Sequence, residues 1–211
     1  MIGWLRRCRR AGEWCKRSFA LAVAAAGLAA IPMAAYAQLI NLTYGEVKLG
    51  VLAHDVSFFG GREKGIDINP EVILPSPIND AWVATLPAYL RWMVQPRPAI
   101  GAEINTSGYT NQLYFGANWD WQIFGNVFRP GDAITASIFF GGAANDGQII
   151  SKGPDRKSLG SHLLFREALE IGYQITPAIS ISVMVDHVSN AGFARQNQSI
   201  NDFGGRLGFR F

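Results

Sequence analysis

Period-two alternation of apolar and polar residues recurs along the 211-residue sequence and constrains its fold more than any other feature. Alternate side chains of a β-strand point to opposite faces, so this period predicts strands with one apolar face. Each alternating segment pairs an apolar, often aromatic face with a face of charges and glycines. There are eight of them, at residues 46–53, 66–74, 100–105, 112–121, 134–140, 165–173, 179–185 and 203–211. The sequence therefore predicts an all-β chain of eight strands.

Two all-β architectures fit this pattern. A soluble sandwich or lipocalin-like barrel would turn the apolar face inward, whereas an outer-membrane barrel turns it toward lipid and keeps polar side chains inside. The inward set of opposite charges and glycines suits the interior of a small closed barrel. The last segment, GRLGFRF, ends at Phe211 in the manner of bacterial outer-membrane barrels. Together with the export signal described next, these features predict an eight-stranded antiparallel transmembrane β-barrel of the outer-membrane type.

The first 37 residues have the organisation of a secretory signal peptide. A basic head precedes the apolar run SFALAVAAAGLAAIPMA, and Ala35-Tyr36-Ala37 is a small-x-small cleavage site. We therefore predict a signal peptide at 1–37, cleaved after Ala37, and a barrel at 38–211. The alternative is a retained N-terminal anchor.

The basic charge of the sequence belongs mainly to this leader. It holds six of the 19 Lys and Arg residues and one of the 16 Asp and Glu residues, which leaves 13 basic and 15 acidic residues and a net charge near −2. A nucleic-acid partner therefore loses its support. Both cysteines, Cys8 and Cys15, also lie in the leader, so residues 38–211 can form no disulfide.

The stretch VMVDHVSNAG, residues 183–192, contains the candidate catalytic residues. His187 and Ser189 continue the outward stripe of Val183 and Val185, with about 6–7 Å between their Cα atoms. An imidazole there can take the hydroxyl proton, and a third group must orient it. If Ser189 lies roughly opposite Asn201, parity places that amide on the same face. Alternatively, these are ordinary polar residues at a membrane rim.

Residues 187–211, HVSNAGFARQNQSINDFGGRLGFRF, resemble the C-terminal signature of the lipid A 3-O-deacylase family of outer-membrane barrels. The resemblance implies a cofactor-free and metal-free serine esterase that releases an ester-linked acyl chain of lipid A, the 3-O-linked hydroxyacyl group. Ser189 then matches the nucleophile and His187 the general base, while Asn190 and Gly192 match loop positions that stabilise the oxyanion. The family pattern has glutamate where this sequence has Asn201, an amide that can orient imidazole but carries no charge.

This interpretation also gives expectations for substrate and partners. The acyl chains should lie against the outward stripe near Val183, Val185 and Phe203, and the partner should be lipid A, or lipopolysaccharide, in the bacterial outer membrane. A homodimer is left open. The competing hypothesis is a non-enzymatic structural or adhesion barrel, or a family member inactivated at Asn201.

The remaining polar residues have simpler interpretations. We predict an interior ion-pair network of Glu103, Arg166, Glu170, Asp186, Arg206 and Arg210. Inward charge pairing is also predicted for His54 and Asp55, and for His162 with Glu167 or Glu170, which are too dispersed for a metal site. The loop cations Arg62, Lys64, Arg156 and Lys157 either meet lipid A phosphates or are solvated. Residues 75–98 are too long for a turn, which indicates a short helix there or a misplaced second strand.

Overall fold

The computed structural model describes residues 44–56 and 61–211, and the predicted signal peptide lies outside these residues. Eight antiparallel strands form a closed barrel in which each strand pairs with its neighbours in sequence and β8 pairs with β1. The strands are β1 Glu46–Ala53, β2 Ile66–Ile73, β3 Arg97–Asn105, β4 Gln112–Gly125, β5 Ala133–Asn145, β6 Leu163–Gln174, β7 Ile179–Ser189 and β8 Phe203–Arg210. The predicted fold class is confirmed.

Closure explains how a chain of this composition satisfies its backbone in lipid. Hydrocarbon offers no hydrogen bonds, so only helices and closed barrels can cross a bilayer without leaving backbone groups unpaired. Here the first and last strands are in register along their whole lengths, from Glu46 opposite Arg210 to Ala53 opposite Phe203. The barrel therefore has no open edge.

Each strand turns its polar residues inward and its apolar residues outward. In β1, for example, Glu46 and Lys48 are buried, while Val47, Leu49 and Val51 are 41–56% exposed. In a soluble protein such exposure would be unfavourable, but in an outer-membrane barrel this surface contacts lipid.

The two ends of the barrel differ. We call the end with the connections 54–65, 106–111, 146–162 and 190–202 the loop end, and the opposite end, with 74–96, 126–132 and 175–178, the terminal end. Three of the four connections at the loop end, 54–65, 146–162 and 190–202, are long. Because outer-membrane barrels have their longer loops on the extracellular side, we expect the loop end to lie there.

The second strand lies where the sequence predicted it, and the long stretch after it contains two short helices, α1 Asp80–Ala84 and α2 Ala88–Arg91. The side chain of Asn79 caps α1 by accepting a hydrogen bond from the Ala81 amide at 2.7 Å. Neither of these helices, nor any other helix in the described residues, is long and apolar enough to span a membrane.

The barrel interior is filled by a network of buried charges around two arginines. Arg166 contacts Glu103 at 2.9 Å and Asp186 at 2.7 Å, and all three side chains are fully buried. Arg206 contacts Glu71 and Glu170, both at 2.6 Å. Removing one member of such a group leaves an uncompensated buried charge, which typically costs about 3–5 kcal/mol. The predicted interior network is confirmed, and its sixth predicted member, Arg210, contacts Glu46 at 3.6 Å instead of these carboxylates.

Aromatic rings and small residues complete the interior. The guanidinium of Arg166 stacks over the Tyr114 ring at 3.8 Å. The hydroxyl of Tyr114 donates to Glu71 at 2.9 Å. A Cβ at Gly101 would come within 2.3 Å of that hydroxyl, so the ring fits only because this position is glycine. Interior glycines therefore make room for the polar side chains that fill the barrel.

Candidate active site

The outward stripe of β7 ends in two polar residues at the loop end of the barrel. Val183 and Val185 are 51% and 40% exposed, and His187 and Ser189 follow on the same face, both half-buried. The predicted placement of a histidine and a serine at the end of a lipid-facing stripe is therefore observed.

Asn201 completes a row with His187. Its Oδ1 lies 2.7 Å from Nδ1 of His187. An amide oxygen only accepts hydrogen bonds, so Nδ1 carries the proton and Nε2 is left as a proton acceptor. The prediction that Asn201 shares the face of His187 is confirmed.

The predicted register, by contrast, was wrong by two residues. Val188 pairs with Ile200, and the Asp186 amide donates to Asp202 O at 3.0 Å, which sets Asn201 opposite His187 rather than opposite Ser189. Parity predicts the face but not the register, because the length of a loop does not say how many residues extend the ladder.

Contacts from the 54–65 connection and from Asp186 hold the segment that carries Asn201. The amide of Val56 donates to Asn201 O at 2.6 Å. Asp202 points inward, where its Oδ1 accepts from the Asp55 amide at 2.7 Å and its own amide donates to Asp186 Oδ1 at 3.1 Å. The orientation of the amide at 201 is therefore set by the ordered loop end, which is what a positioned third member needs.

A tight turn follows Ser189. The Phe193 amide donates to Asn190 O at 3.0 Å, and the two central residues, Ala191 and Gly192, have φ of 53° and 86°. Two consecutive positive φ values define a type I′ turn. Glycine adopts this backbone freely, but for Ala191 it costs roughly 1–2 kcal/mol. Strain of this kind is common beside functional groups.

Asn190 is the internal brace of this loop. Its buried side chain donates to Leu159 O at 2.7 Å and to Gln196 O at 2.5 Å, and accepts from the Gly192 amide at 2.9 Å. Its own backbone amide donates to Asn197 Oδ1 at 3.1 Å. The two loop positions that the resemblance associated with the oxyanion therefore already use their amides within the loop.

The amide nearest the nucleophile is instead that of Ala191. Its nitrogen lies 3.4 Å from Ser189 Oγ and is directed at it. The positive φ of Ala191 turns this N–H back toward the serine. No sequence signal identified this residue, because alanine is not a residue type typical of a left-handed position.

The long connection between β5 and β6 supports the same loop. Leu159 and Ile200 are fully buried together in the core of the loop end. Ser158 and Gln198 exchange two hydrogen bonds, at 2.6 and 3.1 Å, and Lys157 Nζ donates to Ser199 O at 2.8 Å. The polar, glycine-rich composition of this connection gave no indication of this supporting role.

The loop cations divide into two kinds. Lys157 is buried and contacts Asp55 at 2.7 Å, so it belongs to the loop-end scaffold. Arg156 stacks over the Tyr109 ring at 4.6 Å. Arg62 and Lys64 are exposed, as solvated loop charges or phosphate contacts require. The suggestion of a phosphate contact therefore does not hold for Lys157.

An aromatic surface borders the serine. Phe165 on β6 lies directly opposite Ser189. Its ring stacks with Phe140 at 6.4 Å and contacts Phe193 at 6.0 Å, and Phe193 is 85% exposed. We call Phe140, Phe165 and Phe193 the aromatic patch. Sequence reasoning missed its position, although the odd parity of Phe165 in β6 already indicated an outward side chain.

Glu167 is placed differently from the prediction. It was expected to pair inside the barrel, but it is exposed, on the outward face with Phe165 and Leu169, whereas Glu170 is buried inside. His162 is also exposed and bonds Asn145 O at 3.1 Å. The physical reason is parity: residue 167 is separated by an odd number of positions from the inward residues of this strand.

His54 is the centre of a buried cluster at the loop end. It lies 2.7 Å from Asp67 and 3.3 Å from both Glu63 and Asp202. Burial alone would lower the pKa of His54, but the hydrogen bonds with Asp67 and Glu63 outweigh it and raise the pKa to about 10. Burial likewise opposes ionisation of Glu63, yet the bond to His54 lowers its pKa to about 2. The imidazolium thus holds the carboxylates of Asp67 and Glu63 together and also contacts Asp202, so the predicted inward charge pairing is confirmed for His54.

Two groups in the described residues bring potential metal-ligand atoms within 4.8 Å of one another. They are His54, Asp67 and Asp202, and Glu103, Asp186 and Asp202. Each already contains a cation among its contacts, the His54 imidazolium in the first and Arg166 in the second. Their observed contacts are those of the charge network that joins the loop end to the interior.

Comparison with solved structures found proteins of similar fold. The solved structure of the outer-membrane enzyme PagL is similar to the chain, with a TM-score of 0.53 and 17% identity over 78% of this chain and 98% of that one, which shows a shared fold. The N-terminal β-barrel domain of Pseudomonas aeruginosa OprF and Neisserial surface protein A have TM-scores of 0.47 and 0.46, at 10% and 12% identity. Each of these two matches covers 80% of this chain. They cover 98% of the OprF domain and 96% of Neisserial surface protein A. Among curated proteins no match was found.

The family comparison covers the part of the chain that forms the site. The model of the family described as lipid A 3-O-deacylase (PagL) matches residues 105–210, which include β4 to β8, the outward His187 and Ser189, and Asn201. Together with the closed eight-stranded barrel, this match shows that the chain belongs to the lipid A 3-O-deacylase (PagL) family of outer-membrane barrels.

Proposed function

We propose that this outer-membrane protein is a serine esterase that removes the 3-O-linked hydroxyacyl chain of lipid A. The observation that carries the proposal is the contact of 2.7 Å between His187 Nδ1 and Asn201 Oδ1, two residues from Ser189 on the lipid-facing side of β7. A base with a fixed tautomer beside a hydroxyl, on a surface that meets lipid, suits hydrolysis of an ester whose acyl chains lie in the membrane.

The first step would form an acyl-enzyme. Ser189 Oγ attacks the ester carbonyl while its proton passes to Nε2 of His187, and Asn201 keeps Nδ1 protonated. When the tetrahedral intermediate collapses, the carbon–oxygen bond to the sugar breaks and His187 gives the proton to the leaving sugar oxygen, which becomes a hydroxyl. Water, deprotonated by His187, then releases the hydroxy fatty acid and restores the serine.

The oxyanion needs a donor that is already in place. We assign this role to the Ala191 amide, because it lies 3.4 Å from Ser189 Oγ and points toward it. Asn190 and Gly192 act by forming the turn that presents this amide, since their own polar groups bond within the loop. The strain at Ala191 is the cost of that presentation.

The acyl chains are proposed to lie along two neighbouring apolar surfaces. Val183, Val185 and Phe203 continue the outward stripe below the serine, and Val185 lies opposite Phe203. The aromatic patch borders the serine on its other side through Phe165. A chain on these surfaces keeps its carbonyl at the loop end, near the depth of the lipid headgroups.

The test is the lipid A of cells that express the protein. Cells with the wild-type chain should produce lipid A that lacks one hydroxyacyl mass by mass spectrometry, and cells with the Ser189→Ala variant should retain it. Equal amounts of folded barrel in the outer-membrane fraction, judged by heat-modifiable gel mobility, serve as the control. Identical spectra for the two proteins would overturn the proposed function.

The amide at 201 is the one observation that favours a second candidate, a barrel that has lost its activity. An asparagine can orient a catalytic histidine but does not stabilise an imidazolium by charge. If Asn201 is the third member of an active site, then Asn201→Glu should preserve or raise activity. An inactive wild type that gains activity with Asn201→Glu would instead identify an inactivated member of the family.

A further inference from the structure

The outward face of the barrel strands is almost free of ionisable side chains. Apart from Tyr173, the outward-facing strand residues in the described barrel include two such groups, Glu167 on β6 and His187 on β7. A charged side chain facing lipid is unfavourable, by about 2–4 kcal/mol for a cation at the membrane midplane and less for a carboxylate or near the interface. Near the lipid headgroups a carboxylate is tolerated, and a neighbouring cation would stabilise it further.

The register places an imidazole beside this carboxylate. Glu167 and His187 are directly opposite each other in the β6–β7 pair, and on its other side Glu167 lies opposite Phe140 of β5. Directly opposed residues have Cβ atoms about 4.5–5.5 Å apart, which a glutamate side chain spans easily. Asn201 flanks the imidazole on the side away from β6. The carboxylate of Glu167, the imidazole of His187 and the amide of Asn201 thus form one row across the lipid-facing surface.

This row matters because the amide cannot do all that the reaction requires. Asn201 fixes the tautomer of His187 by hydrogen bonding, but it has no net charge to stabilise the imidazolium that forms when Ser189 loses its proton. Attraction between opposite charges is several times stronger near a protein surface, where the effective dielectric constant is lower, than in bulk water. A carboxylate on the neighbouring strand can therefore supply the missing charge without occupying position 201.

The other groups that face His187 do not supply it. Phe165 and Leu169 are its diagonal neighbours on β6, and Phe203 is the next outward residue beyond Asn201. On its own strand the outward neighbours are Val185 and Ser189, while Asp186 and Asp202 are fully buried on the inward side.

We propose that Glu167 is a positioning residue of the active site, which stabilises the protonated His187 from β6 and so compensates for the uncharged Asn201. The proposal rests on the proposed roles of Ser189 and His187. Glu167 neither gains nor loses a proton in it. The proton moves between Ser189, His187 and the leaving sugar oxygen, and the carboxylate acts only through the imidazole.

The experiment measures release of hydroxy fatty acid from purified lipid A by the purified full-length mature barrel in detergent, as a function of pH. Glu167→Gln should lower kcat by about 10- to 100-fold, the size known for loss of a carboxylate that supports a metal-binding histidine, with KM unchanged. It should also change the pH dependence of kcat, which a merely structural role would leave as in the wild type. Asp155→Asn, which removes an exposed loop carboxylate, should leave both unchanged.

Rescue separates an electrostatic role from a merely structural one. Adding Asn201→Glu to Glu167→Gln should restore most of the lost kcat and return the pH profile toward that of the wild type. Wild-type kcat and pH profile in Glu167→Gln would overturn the inference, and so would a loss that Asn201→Glu does not repair. Ser189→Ala run in parallel distinguishes the two proposals: if it stays active the proposed function fails, whereas if it is inactive and Glu167→Gln is normal, only the role of Glu167 fails.

Discussion

Polar groups inside the barrel and polar groups on its lipid-facing surface are organised in opposite ways. Inside, Arg166 and Arg206 each contact two carboxylates, and the neighbouring strands contribute further charges, so the network spreads over the whole interior. Outside, the polar strand residues near the loop end form one compact group beside His187. The proposed function assigns chemistry to the outer group and stability to the inner network, since only the outer group faces the membrane.

Removing the base should have the largest effect, and it should fall on activity alone. His187→Ala is expected to lower the rate of acyl release by about 10³-fold or more, because removal of any member of such a triad has an effect of this size. The free energy of unfolding should change by less than about 0.5 kcal/mol, as for a surface substitution. Fatty-acid release and urea unfolding of the same preparation check both. Retention of a tenth of the activity would contradict the assignment.

Removing an interior cation should do the reverse. Arg166→Met leaves Glu103 and Asp186 without their cation. The barrel should lose about 3–5 kcal/mol of unfolding free energy, measured by urea unfolding in detergent. Arg62→Met, at an exposed loop position, is the matched control and should have little effect. Equal stability of the two variants would mean that the interior charges are not essential to the barrel.

The buried histidine at the loop end should make stability depend on pH. The raised pKa of His54, about 10, means that its contribution is complete below its ordinary value near 6.5 and is lost as the pH rises through 10. His54→Gln should therefore cost about 3 kcal/mol at pH 6 and much less above pH 10. Unfolding midpoints of both proteins at several pH values test this, and a difference that does not shrink with rising pH would contradict the ion pairing.

Shortening a ring of the aromatic patch should have the smallest effect. Phe165→Ala removes apolar surface opposite Ser189 and should lower kcat/KM by about 10-fold, the size expected for loss of part of an apolar substrate contact. Phe209→Ala, an outward position of β8 near the terminal end, should leave kcat/KM unchanged. Equal effects of the two variants would show that the patch has no special place in acyl binding.

Most of the fold could be predicted from the sequence. The parts that could not be predicted have a common physical cause. All eight strands lie where period-two alternation indicated them. Inward side chains meet the polar interior of the barrel and outward side chains meet lipid, so polar and apolar residues alternate along each strand. Residues 75–98 resisted prediction because their short helices lack a long periodic pattern. The assignment of residues 1–37 as a signal peptide cleaved after Ala37 stays a prediction.

The candidate site was predictable to the level of faces and not to the level of contacts. Alternation along one strand put His187 and Ser189 on one side of the barrel, and an assumed pairing across the loop added Asn201. The Ala191 amide could not be found in this way, since its direction depends on a turn that Asn190 holds through contacts with Leu159 and Gln196. Contacts between distant parts of the chain carry no local signal.

The amino-acid sequence by itself determined the strand number, the inversion of apolar and polar faces, and the presence of a histidine and a serine on the lipid side. Alternation within a single strand fixes which face of the barrel each side chain occupies, whichever strand lies beside it. The tertiary structure alone decided the register, which brings Asn201 and Glu167 to opposite sides of His187. That outcome depends on how three strands align across the barrel, and hydrogen bonding between strands, rather than the sequence of any one of them, fixes the alignment.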